Sequence, residues 1–154
     1  MNVFTVSLFG HRKIDNLQQV DNALFPIIQE LMRTREYVSF LVGRSGEFDE
    51  YAASVIKRVQ KVVDKGNGEM TLVLPYTVAD LEYYENYYDN IVIPDNIYGA
   101  YPKAAIALKN KWMIEQSSLV IVYVKYNGGG AYAAMKYAER LDKRIINLYE
   151  SALP

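Results

Sequence analysis

The stretch VIVYVKYNGGGAYAAMKYAERL, Val120 to Leu141, runs from apolar, strand-like residues through three glycines into a helix-like run. Consecutive glycines cost backbone entropy, so a row of them requires a reason. Either the turn is only tight, or a ligand comes very close to the main chain. The second reading has a physical basis, because Gly128, Gly129 and Gly130 precede a helix N-terminus. The free N–H groups and dipole of such a terminus favour an anion. A plain strand–helix turn remains the competing explanation.

Working outward, the same alternation recurs. Val3–Phe9 is a short β-rich run ending at Gly10. The 21–35 segment places Leu24, Ile27, Ile28 and Leu31 at helical spacing, and a first-turn Pro26 has the helix starting near Phe25. Val38–Gly43 is a second strand. The helix that follows opens with Asp49 and Glu50 and closes near Lys61 and Lys65, with Gly66 as C-cap. Met70–Pro75 and Asn90–Pro94 are further strands, separated by a tyrosine-rich connection. Lys103–Gln116 is a helix with Ile106, Leu108, Trp112 and Met113 as core candidates. A strand from Ser118, a helix over 131–141 and a last strand starting at Arg144 complete the order. This predicts an α/β fold, a Rossmann-like three-layer sandwich with a mostly parallel central sheet, over 1–154 as one domain.

Composition narrows the classes. The 154 residues carry 17 Lys+Arg against 18 Asp+Glu, so no global basic field points to nucleic acid or an anionic membrane. Nucleic acid is therefore not expected as a partner, although that balance leaves room for a local basic patch. There is no cysteine and one histidine, His11, which removes thiolate sites and multi-histidine metal sites. No metal and no cofactor is expected. No apolar run is long enough to span a bilayer, and the N-terminus reads as a strand and not as a signal peptide. The expectation is a cytoplasmic protein that forms a homo-oligomer.

In an open parallel sheet, ligands bind beyond the carboxyl ends of the strands. The unusual residues collect there. Gly10, His11 and Arg12 follow the first strand, with Arg12 suited to clamping a phosphate and His11 to donating a hydrogen bond. Gly43, Arg44, Ser45, Gly46 and Glu47 follow the second. Glu47, or Asp49 beyond it, is the candidate acid/base, with Ser45 and Asp49 alternatively acting as helix caps. The tyrosines Tyr76, Tyr83, Tyr84, Tyr87, Tyr88, Tyr98 and Tyr101 are read as a lid stacking on a base, a self-association surface or ordinary packing.

Four pieces in this order, GHR, GRSGEFDEYAA, LVLPY and ALKNKWMIEQSSLVIVYVKYNGGGAYAAMKYA, resemble the SLOG superfamily. That Rossmann-like group joins the LOG phosphoribohydrolases and the Smf/DprA DNA-processing proteins, and the likeness is greatest to its small YpsA-like members. The resemblance implies nucleotide or nucleotide-derived ligands at the rim, held by Gly10, His11, Arg12, Gly43, Gly46, Glu47, Asn110, Gly128, Gly129 and Gly130. An arginine expected before the asparagine is Lys109 here. The phosphoribohydrolase glutamate inside the last long helix has no counterpart, since Glu139 lies near the helix's far end. The leading expectation is a binding module or sensor for a nucleotide-like small molecule. The alternatives are an N-glycosidase or nucleotide hydrolase using Glu47 or Asp49, and an interaction module working through the tyrosine face.

Overall fold

The computed structural model describes residues 1–151. Six strands form one sheet: β1 (Val3–Gly10), β2 (Tyr37–Val42), β3 (Gly68–Val73), β4 (Asn90–Val92), β5 (Leu119–Tyr123) and β6 (Arg144–Asn147). Their order across the sheet is β4-β3-β2-β1-β5-β6, and every pairing is parallel. Helices α1 (Leu17–Thr34), α2 (Glu47–Val63), α3 (Leu81–Tyr87), α4 (Pro102–Gln116), α5 (Gly129–Arg140) and α6 (Leu148–Ser151) connect or follow them. The expected Rossmann-like α/β class is what the chain adopts.

Period-two alternation in the strands sorts the core into two layers. On β5, Leu119, Ile121 and Tyr123 pack with Val20, Leu24, Ile28 and Met32 of α1 and with Phe48, Ala52 and Ile56 of α2. Val120, Val122 and Val124 point the other way, against Met113 and Ile114 of α4 and Ala134 and Ala138 of α5. Both sheet faces are covered, which is why β5 reads as an unbroken apolar run.

Several local expectations need correcting. Helix α1 begins at Leu17, two turns earlier than expected, so Pro26 lies inside it. Pro26 is on the exposed side, where water can serve the carbonyl that loses its helical donor. The true start carries a legible signal: Asn16 caps the helix by accepting from the Gln19 N–H at 3.2 Å, the first half of a capping box. Helix α2 is closed by Asp64 in the left-handed conformation (φ 50°), not by Gly66. On α4 only Met113 of the four expected core residues is buried; Ala105, Lys109, Met113 and Ile114 form the buried stripe, and Ile106 is 40% exposed. A short helix, α3, occupies the tyrosine-rich connection, where Tyr88 is buried and Tyr83 exposed. Among the described residues, no helix is long and apolar enough to cross a membrane.

Candidate functional site

Chain order reverses beside β1: strands β2 to β4 extend to one side of it, and β5 and β6 to the other. The β1/β5 gap is the topological switch point, the place where open α/β sheets bind ligands. A cleft of about 440 Å³ opens there. It is lined by Gly10, His11 and Arg12 after β1, and by Gly43, Arg44, Ser45 and Asp49 around the start of α2. Leu8 and Phe9 of β1, Val73, Pro75 and Tyr76 of the β3 end, Ile106, Lys109 and Asn110 of α4, and Tyr126, Gly129, Gly130 and Ala131 complete it. Ten of the thirteen residues singled out from sequence thus meet in one concavity. Glu47, Gly46 and Gly128 do not line it.

Glu47 is a correction. Its carboxylate accepts the Ile14 N–H at 2.8 Å, and its own N–H donates to the Arg12 carbonyl at 2.9 Å. It staples two loops together instead of facing the cleft as an acid/base. Gly46 serves the same junction, since a Cβ there would fall 2.6 Å from the Arg12 Cα. Gly128 is the N-cap of α5 in extended backbone, with no side chain capping the helix.

His11 lines the cleft and also joins two loops. Its Nε2 accepts the Lys125 N–H at 2.9 Å, and its ring stacks on Tyr126 at 3.9 Å and 2°. Burial, opposed by the Asp15 carboxylate, holds its pKa below the ordinary 6.5. A neutral imidazole accepting at Nε2 carries its proton on Nδ1. The ring therefore pins the loop after β5 to the loop after β1, and the Lys125–Asp15 ion pair ties the same two loops.

The cations divide into three settings. Arg12 is exposed, and no bond engages its guanidinium among the described residues. Arg44 leans on Tyr84 of α3, donating to its hydroxyl at 3.4 Å with the ring centroid 5.5 Å away. Lys109 is only 6% exposed, yet no hydrogen bond or contact ion pair reaches its ammonium among the described residues. Burial lowers its pKa, opposed by Asp49, and burial raises that of Asp49. The Asp49 carboxylate accepts from the Ser45 N–H at 2.8 Å and from the Ser45 hydroxyl at 3.0 Å. Both charges press on Gly43, where a Cβ would lie 2.9 Å from Asp49 Oδ2 and 3.0 Å from Lys109 Nζ. The neighbouring Asn110 Oδ1 is buried with no partner.

The glycine run now has a sharper explanation. Among the described residues, apart from chain neighbours and the helix's own backbone, nothing lies within 4 Å of a Cβ on Gly128, Gly129 or Gly130, so packing does not demand their smallness. Gly129 alone has a left-handed φ of 84°, which a side chain would strain. Gly129 and Gly130 open onto the cleft at an uncapped helix start.

Sequence reasoning missed Lys109, Ile106 and Tyr126 as cleft residues, whereas Tyr76 was among the lid candidates. For Lys109 a signal existed: Ala105, Lys109 and Met113 are spaced four apart, which puts the lysine in an apolar stripe.

No protein-family model and no curated protein matches the chain. Solved structures do. The X-ray structure of DNA processing protein A (DprA) from Streptococcus pneumoniae matches with a TM-score of 0.67 at 16% identity, over 92% of this chain and 49% of that one. DprA from Helicobacter pylori matches with a TM-score of 0.63 at 14% identity, over 92% of this chain and 63% of that one. The molybdenum cofactor carrier protein from Chlamydomonas reinhardtii gives 0.58 at 16% identity, over 94% and 75%. The chain shares the Rossmann-like fold of these structures. It spans about half the length of the pneumococcal DprA and under two thirds of the Helicobacter one. One expectation falls with these matches. The Helicobacter structure concerns a single-stranded DNA binding mode, on the fold this chain shares, so a near-zero net charge does not set nucleic acid aside as a partner.

Proposed function

We propose that the cleft binds a nucleotide or nucleotide-derived ligand through its phosphate, as a binding module or sensor. The observation that carries this reading is the convergence of unengaged donors at the switch point: the free Arg12 guanidinium, the buried Lys109 ammonium and the uncapped start of α5. Each favours an anion, and together they face one volume. A 5′-phosphorylated strand end presents the same chemistry as a mononucleotide and belongs in the same screen.

The test is a thermal-shift series with nucleoside monophosphates, dinucleotides, cyclic nucleotides, ribose 5-phosphate and short 5′-phosphorylated DNA. A ligand at a hundred times its Kd adds about 2.7 kcal/mol of stability. Arg12→Ala is expected to weaken binding by about 1.5–3 kcal/mol, the size of a charge-assisted hydrogen bond. Unaltered binding in Arg12→Ala removes that residue from the site.

A second reading, hydrolysis of an N-glycosidic or nucleotide bond, is favoured by one feature. Asp49 lines the cleft with its pKa raised by burial, which favours the protonated carboxyl a general acid needs. Free base released from a monophosphate, and lost in Asp49→Asn, is the expected result of that reading. The absence of any turnover across the panel would leave binding alone.

A further inference from the structure

The lining of the cleft is polarised. Beyond β5 stands the uncapped Gly129–Gly130 helix start, and Arg12 follows β1 against the start of α2. Beyond β3 stand Val73, Pro75 and Tyr76, and Ile106 of α4 shares the lining. Between β3 and β5 lie three strand spacings, about 14 Å, so one occupant touching both ends is elongated. Tyr76 and Ile106 stay 42% and 40% exposed inside this concavity, and neither a ring nor a hydrogen bond engages Tyr76 among the described residues. The middle carries the buried Lys109 ammonium and the Asn110 Oδ1, an acceptor without a donor.

We infer that the β3 end of the cleft is a nucleobase subsite in which Tyr76 is the stacking platform. The inference rests on the phosphate reading above. A flat base suits a free aromatic face beside an aliphatic side chain, because every base has a π-face. A ribose hydroxyl supplies the donor that Asn110 lacks. Tyr126 is the weaker platform, since one face of its ring already covers His11 and it lies at the anion end. The ligand class is therefore a nucleoside 5′-phosphate, oriented base toward β3 and phosphate toward α5.

Calorimetric titration of the full chain with adenosine and cytidine monophosphates, ribose 5-phosphate and octyl phosphate tests this. The monophosphates are expected to bind about ten- to a hundredfold tighter than ribose 5-phosphate. Tyr76→Ala should erase that advantage and leave ribose 5-phosphate unchanged, while Tyr76→Phe retains it. The base subsite is overturned if ribose 5-phosphate binds as tightly as the monophosphates, if Tyr76→Ala changes nothing, or if octyl phosphate matches them. If no phosphate compound binds at all, the phosphate reading falls as well. A 5′-phosphorylated tetranucleotide bound more tightly than a monophosphate, with the same dependence on Tyr76, supports the subsite and assigns its base to a strand end. A monophosphate bound more tightly supports it as a site for the free nucleotide.

Discussion

The double substitution Asp49→Asn/Lys109→Met is expected to abolish phosphate binding while leaving the ligand-free protein at least as stable as the parent, with a gain of up to about 4 kcal/mol. Both side chains are buried, at 7% and 6% exposure, and they do not form a contact ion pair. Desolvation of two charges without a direct bond between them is unfavourable, and apolar or neutral replacements remove that cost. Asp49→Asn keeps a side-chain oxygen to accept the Ser45 N–H. Lys109→Met alone is expected to fall below the double variant, because it strands a buried carboxylate without its cation.

The pH profile gives the same experiment a second readout. Asp49 has a raised pKa in the fold, so the folded state holds a proton that the unfolded chain has already released. Stability therefore declines as pH rises from the ordinary carboxylate range, near 3.8, through the raised value. Lys109 has a lowered pKa, so between that value and the ordinary 10.5 the unfolded chain binds more protons. Stability recovers across that window. Both slopes should disappear from chemical denaturation curves of the double variant. A double variant that binds phosphate like the parent would show that the pair has no part in recognition.

Gly10→Ala carries the next largest effect. A Cβ there would sit 2.2 Å from the Phe48 ring, a separation no packed pair sustains. Phe48 is fully buried and stacked at 7° on Tyr123, so it has nowhere to retreat without disturbing β5. Overpacking of this kind costs about 1–3 kcal/mol. The smaller side chain of Phe48→Leu should restore part of it, giving a coupling of about 0.5–3 kcal/mol in a double-mutant cycle. Gly130→Ala is the contrast, since no atom lies within 4 Å and the position is helical. There alanine should be neutral or stabilising by about 0.5–1 kcal/mol. Equal melting midpoints for Gly10→Ala and the parent would contradict the packing account.

These two glycines also show what can be read without coordinates. The order of elements, the parallel sheet and the loops of the rim follow from apolar periodicity and from Gly and Pro punctuation, which act locally. The purpose of each glycine is not local. Gly10 makes way for Phe48 and Gly46 for Arg12, across elements far apart in sequence. Glu47 looked like the acid of the site because a carboxylate between glycines carries no mark of direction; its bond to the Ile14 N–H is tertiary. Lys109 was masked by the convention that lysines face water, although its spacing from Ala105 and Met113 put it inside. The tyrosines were least legible. Tyr76 and Tyr126 belong to the cleft, Tyr88 to the core and Tyr83 to the surface, and their near-uniform chemistry gives no hint of that division.

The placement of β1 has a kinetic corollary. One edge of this strand pairs with β2, close in sequence, but the other pairs Val6 with Leu119 and Gly10 with Tyr123, more than a hundred residues away. Joining distant segments carries a loop-closure cost that local pairing avoids. As the chain emerges during synthesis, β1 to β4 can assemble while one edge of β1 stays bare. The cleft straddles that late seam, so the loops that build it are brought together only when the last third of the chain docks. On the proposed reading, competence to bind is expected only at the end of folding, and ligand added during refolding should trap the finished sheet and not an earlier form.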